Sequence, residues 1–188
     1  ILELMNLRRS QIAKFIGIHE DKIGFYDHHR CHSLYGYYTN PSKHKRVAIV
    51  TSDGGGDKIY NTVSVIENGV LKEMSRSRNS LIGKIFASVT LILGMNPHRH
   101  PYKVMGLAPY ATEYHKKGPR KVFLDALTVE GLEFKHNPDM KDFFFYFKEK
   151  LEKFRFDGIA GGLQDFVEIR LIEWFENISK ATNTNNFV

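Results

Sequence analysis

The chain reads as an α/β protein in which mixed sheets are flanked by helices, and three observations carry that expectation. Residues 46–74 give strand, glycine turn, strand, tight turn, strand. That is not the strand–turn–helix order of a dinucleotide fold, and no Gly-Lys-Ser/Thr string marks a P-loop. Residues 3–17, 80–93 and 158–182 each space apolar side chains at helical period. The hydrophobic share of 42% and charged share of 26% are those of an ordinary globular chain.

In order, residues 3–17 place Leu4, Leu7, Ile12, Phe15 and Ile16 on one helical stripe, ended by Gly17. Residues 22–26 read as a short strand delivering Asp27 and the histidines after it. From His28 to Tyr38 a helix is expected, with Tyr35, Tyr37 and Tyr38 on its inner face. Asn40-Pro41-Ser42 ends it, since proline cannot continue the ladder and restricts the residue before it. Residues 46–52 form a mostly buried strand, and 59–66 alternate Thr62 and Ser64 with Val63 and Val65. Asn68-Gly69 favours a two-residue hairpin into 70–74. Residues 80–93 make a buried helix around Ile82, Ile85, Phe86, Val89 and Leu93, followed by a loop through His98 and His100. Residues 112–150 are more polar, punctuated by Gly118-Pro119, Gly131 and Asn137-Pro138. The aromatic run Phe143-Phe144-Phe145-Tyr146-Phe147 is read as packing. The last helix carries the clearest stripe: Leu163, Phe166, Val167, Leu171, Trp174, Phe175 and Ile178, with Arg170 at its edge or in a cleft.

Chemistry concentrates at two places. His28 and His32 stand i, i+4, so on a helix both imidazoles share a face and can bind one cation. Asp53, at the end of an apolar strand, offers a carboxylate, a donor set that suits iron, manganese or zinc. Gly54, Gly55 and Gly56 follow, with backbone N–H groups open to close approach by phosphate. Each half is a weak signal alone; their order is far less expected by chance. His98 and His100, i, i+2 on a loop, read as solvent-facing.

Net charge +6 raises nucleic acid, but the basic residues are scattered and no nucleic-acid motif surrounds them, which disfavours it. Apolar runs fall short of the roughly 20 residues of a membrane span. The lone Cys31 cannot form an internal disulfide and fits a cytoplasmic protein.

Four strings in order, His28-His29-Arg30-Cys31-His32-Ser33, Asp53-Gly54-Gly55-Gly56-Asp57, Ser80-Leu81-Ile82-Gly83 and Lys103-Val104-Met105-Gly106-Leu107-Ala108-Pro109-Tyr110, resemble the O-carbamoyltransferases of nodulation-factor, cephamycin and tobramycin biosynthesis. Ile159-Ala160-Gly161-Gly162-Leu163-Gln164 followed by Glu168 looks like the family's Ala-rich, Gln-containing helix. The resemblance covers residues 23–188. It implies an actin-like, duplicated ribonuclease-H-type fold, with His28, His32 and Asp53 as metal ligands and Gly54, Gly55, Gly56 and Lys103 near phosphate or nucleotide. It further implies that carbamoyl phosphate and ATP become carbamoyladenylate on a downstream YrdC-like domain. The carbamoyl group then passes to a hydroxyl of a small-molecule acceptor such as a sugar, antibiotic or related metabolite. No residue stands out as the general base.

Against the family pattern, an opening strand pair with a His-Asp motif and a later Gly-Gly-x-x-x-Asn motif with a further aspartate are not in this sequence. The chain is therefore expected to be an internal piece, incomplete at both ends and inactive alone. Residues 1–111 would be a first lobe, 112–150 an insertion between lobes and 151–188 the start of a second lobe. An exposed sheet edge beside 47–52 or 60–66 and an uncovered stripe on helix 158–182 are expected to follow. Two rivals are threonylcarbamoyl transfer to tRNA on the same fold, and a nucleotide-binding module without catalysis.

Overall fold

A meander of three antiparallel strands carries the predicted site in the computed structural model, which describes residues 2–41, 44–79 and 82–188. Strands β1 (Arg46–Gly56), β2 (Ile59–Glu67) and β3 (Val70–Ser77) lie in the order β1-β2-β3. Both hairpins turn on two residues of positive φ: Asp57 and Lys58 at 53° and 65°, Asn68 and Gly69 at 50° and 81°. Such turns match the natural twist of the paired strands. The first differs from expectation. The glycines do not form the turn; they are the end of β1, where pairing with β2 is irregular between Ser52 and Gly56.

β2 is central and covered on both faces, so Thr62 and Ser64 are buried together with Val63 and Val65. The free edge expected beside β1 is paired over part of its length. Ala48 N–H donates to Asn186 O (2.9 Å), Val188 N–H to Ala48 O (2.9 Å) and Val50 N–H to Val188 O (2.8 Å). The chain end thus adds to β1 in parallel, through a bridge between Ala48 and Phe187. A parallel addition needs a long crossover, and α7 (Phe156–Thr182) supplies it, leaving through Asn183 in the left-handed region.

The helices are α1 (Leu2–Ile16), α2 (His28–Thr39), α3 (Ile82–Ile92), α4 (Pro101–Leu107), α5 (Glu113–Ala126), α6 (Phe143–Leu151) and α7. Ser80 and Leu81, the expected start of α3, lie outside the described residues. Residues 112–150 are more regular than their breakers suggest. After α5, the strands β4 (Leu127–Glu130) and β5 (Glu133–His136) form a hairpin that leads to α6. Phe123, Phe134 and Phe147 from this stretch are fully buried with Ile85, Val89, Leu163, Phe166, Trp174 and Ile178. The α7 stripe is therefore covered, contrary to expectation. Gly158 and Gly162 allow the close approach, because a Cβ there would lie 2.5 Å from His115 O and 2.6 Å from the backbone N of Arg120, both in α5.

Arg170 neither snorkels nor faces a cleft. Its guanidinium donates to Leu127 O (2.7 Å) and Leu124 O (2.8 Å), satisfying carbonyls where α5 ends, and to Glu173 (2.6 Å). Residues 22–26 form no strand; Glu20–Lys22 is a short 3-10 helix and the chain runs on without a ladder to Asp27. On α1 the stripe is real but open to solvent, with Phe15 92% exposed and, among its described side chains, only Ala13 buried. Among the described residues, no helix is long and apolar enough to cross a membrane.

Candidate metal centre

Helix α2 starts at the site because Asp27 caps it. Its Oδ1 accepts from Arg30 N–H at 2.7 Å, while Arg76 of β3 donates to its Oδ2 at 2.7 Å. The Arg76 guanidinium, more than any other contact, holds the Asp27 carboxyl below the usual carboxylate range. A second anchor comes from the turn, where Asp57 Oδ2 accepts from His28 N–H at 3.0 Å. The first turn of α2 is thus pinned to both hairpins, with two of its unpaired N–H groups satisfied by side chains.

On this base the three expected ligands converge. His28 Nε2 lies 2.5 Å from Asp53 Oδ2, and His32 Nε2 lies 3.5 Å from the same oxygen and 3.1 Å from His28 Nε2. Their ligand atoms all fall within 4.8 Å of one another, the only such His/Cys/Asp/Glu group among the described residues. Asp53 is held below its ordinary pKa, first by the His28 ring and then by the Gly54 N–H, which donates to Oδ1 at 2.6 Å. It is thereby kept in the ionised form that a metal requires. Two imidazoles and one carboxylate on one side of a cation leave other positions open, a set that fits iron, manganese or zinc.

The glycines contribute in a way the sequence did not suggest. A Cβ on Gly56 would stand 2.0 Å from His28 Cδ2, so glycine is what admits the imidazole beside β1. The Gly54 N–H, expected to face phosphate, is bonded to Asp53. Lys103 sits outside the cluster, exposed on α4 with its ammonium 6.0 Å from the Tyr102 ring. His98 and His100 belong to a loop organised by Asn96: Asn96 Oδ1 accepts from His98 N–H, and Asn96 N–H donates to His100 Nδ1.

The inner face of α2 is not aromatic. Tyr35 and Tyr38 are 72% and 71% exposed, and only Tyr37 packs, against the small cluster of Val47, Ile49 and Ile66. His29 and Ser33 are the buried residues instead. His29 was missed because its partners Thr51 and Ile59 are distant in sequence; its place one residue after a ligand histidine was the available signal.

A cleft of about 290 Å³ adjoins the cluster, lined by His32, Gly36, residues 49–53 and Val188. A larger one, about 610 Å³, lies between α5 and α6 among Glu149, Lys150, Glu152 and Lys153. Of the two, the smaller cleft is the one lined by residues of the cluster, His32 and Asp53.

Two uncharacterized proteins of Methanocaldococcus jannaschii are similar to the chain. One is 25% identical over 178 residues, covering 81% of this chain and 28% of that protein. The other is 29% identical over 107 residues, covering 56% and 20%. The chain therefore spans well under a third of the length of these curated relatives. The profile of the carbamoyltransferase N-terminus matches residues 5–187, nearly the whole sequence. The chain belongs to the carbamoyltransferase family, as its N-terminal region.

Proposed function

We propose that this chain is the metal-holding part of an ATP-dependent O-carbamoyltransferase. In that reading the complete protein makes carbamoyladenylate from carbamoyl phosphate and ATP on a YrdC-like domain. The carbamoyl group then goes to a hydroxyl of a sugar, an antibiotic or a related metabolite. The observation that carries it is the convergence of His28, His32 and Asp53 at the mouth of a cleft in a chain of this family. A divalent ion held there would supply Lewis-acid polarisation of a carbonyl or phosphoryl oxygen. His28 and His32 would hold it through Nε2, and Asp53 through Oδ2, with Oδ1 kept in place by Gly54 N–H. The β1 flank and Val188 would wall the substrate from water on one side.

The actin-like fold belongs to the same proposal. It is supported by an antiparallel three-strand unit followed, across a helix, by a parallel addition at β1. Phosphate or nucleotide contact by Gly54, Gly55, Gly56 and Lys103, and a cytoplasmic location, are further parts of it.

The test uses the complete polypeptide, supplied with carbamoyl phosphate, ATP and a divalent metal, with pyrophosphate release and carbamoylation of an acceptor as readouts. His28→Ala, His32→Ala and Asp53→Asn should each lower transfer by on the order of 100-fold or more. Undiminished transfer in any of them would remove the metal centre from the reaction. Residues 1–188 alone should show no transfer, and an active fragment would refute the division of labour proposed.

A further inference from the structure

His29 is the buried titratable group that the proposed chemistry does not use, 1% exposed between two metal-type histidines. Its Nε2 lies 3.0 Å from Ile59 O at the start of β2. A carbonyl oxygen only accepts, so Nε2 carries the hydrogen. Its Nδ1 lies 2.7 Å from Thr51 Oγ1 on β1. Thr51 Oγ1 in turn accepts from Thr62 N–H at 3.1 Å and lies 2.7 Å from Thr62 Oγ1. Every polar atom of the group therefore has a partner, and the group spans α2, β1 and β2.

Thr51 is two residues before Asp53, and Ile59 three after Gly56, so the imidazole ties α2 to the strand that bears the carboxylate and to the strand after the turn. Ser33, one helical turn on, is also buried, its hydroxyl donating to His29 O at 2.8 Å. The apolar burial that would otherwise fix a helix on a sheet is nearly lacking here. His29 and Ser33 are the only buried residues of α2.

From this geometry we infer that His29, with Thr51 and Thr62, is a positioning unit that sets His28 and His32 against Asp53, and is not itself a ligand. The inference rests on the metal reading for its consequence, but its geometric half is independent of it. A histidine whose two nitrogens are both engaged by Thr51 Oγ1 and Ile59 O has none left for an ion; an outer partner of a site typically changes metal affinity by about 10–100-fold when lost.

The experiment compares wild type with His29→Ala, His29→Gln, Thr51→Val and the ligand variant His28→Ala. Thr51→Val keeps the shape of the strand residue should His29→Ala fail to fold. Hydrogen exchange of the metal-free protein reports the anchoring. The amides of Arg30 and His32 should exchange at least about tenfold faster in His29→Ala and Thr51→Val, with α7 unchanged. Glutamine offers one donor and one acceptor at similar reach, so His29→Gln should restore most of the protection. Zn(II), titrated against a chromophoric chelator, reports the consequence. Affinity should fall about 10–100-fold in His29→Ala and Thr51→Val, and much less in His29→Gln.

Unchanged exchange in both variants would overturn the anchoring. Faster exchange with wild-type Zn(II) affinity would overturn the positioning role. Zn(II) binding in the wild type that is indifferent to His28→Ala would sink the metal reading itself, while exchange would still decide the anchoring.

Discussion

Helices α7 and α2 are held to the rest of the molecule by opposite means. α7 runs for 27 residues and sinks Leu163, Phe166, Trp174 and Ile178 into the main core, with its glycine face against α5. α2 runs for 12 residues and buries only His29 and Ser33. Its place is set by hydrogen bonds to the meander: Asp27 accepts from Arg76, His29 pairs with Thr51, and His28 N–H donates to Asp57 in the first turn. Apolar burial is non-directional and scales with area, whereas hydrogen bonds fix angle and distance. Stability is therefore expected to depend on α7, and geometry at the candidate metal centre on α2.

The largest break should come on the α7 side. Trp174 is fully buried, packs at 4.9 Å between ring centroids on Phe134, and donates Nε1–H to Leu132 O at 2.8 Å. Trp174→Ala should cost about 3–5 kcal/mol, measured by urea unfolding, and can unfold the chain outright. If the variant loses less than about 1 kcal/mol, the core does not depend on this face of α7.

Arg170 sharpens the same side. Replacing it with methionine keeps much of the stem but leaves Leu124 O and Leu127 O without their donor. The expected cost is about 1–3 kcal/mol, with no change in metal affinity. A neutral result would mean that water reaches those carbonyls.

On the α2 side, Gly56→Ala should do the reverse. The three atoms nearest the added Cβ all belong to the His28 ring, which can swing outward, so unfolding should change little. Displaced from Asp53, His28 should drop out of the cluster, lowering metal affinity by on the order of 100-fold. A variant with unaltered affinity but lower stability would show that the ring and strand move together, erasing the distinction between the two helices.

The contrast also explains what was legible. The α7 stripe was readable because helical burial repeats every three or four residues, and the Asn68-Gly69 hairpin because its turn demands those residues. The His28, His32 and Asp53 set was readable because its donors are of ligand type at helical spacing and at a strand end. Periodicity failed where it had to choose between buried and open stripes. α1 carries as regular a pattern as α7, yet Leu7, Phe15 and Ile16 are exposed. It failed again at Tyr35 and Tyr38, since on α2 hydrogen bonding and not apolar area selects the inner face. His29, Thr51 and Thr62 were hidden because their pairing links residues 11 and 22 apart along the chain, a relation no local window contains. The covered edge of β1 was missed for the same reason: Asn186 and Val188 meet Ala48 only after the whole fold is closed.

The smallest expected effect concerns the charged seam between α5 and α7. Arg120 donates to Glu113 (2.5 Å) and to Asp165 (2.8 Å), and Lys116 reaches Asp165 at 3.1 Å. The Arg120 guanidinium, ahead of any other contact, holds the Glu113 carboxyl below its usual value. A depressed carboxyl contributes stability above its unfolded pKa, near 4.3, and loses it as pH falls through the lower folded value. Glu113 is well exposed, so salt and side-chain entropy offset most of that contribution. Glu113→Gln should therefore lower Tm only slightly at pH 7 and low salt, and the difference should vanish in 1 M salt or once the pH is below the folded pKa. A Tm difference that persists unchanged under either condition would mean that Glu113 acts through packing, and that the seam, like α2, is fixed by geometry more than by charge.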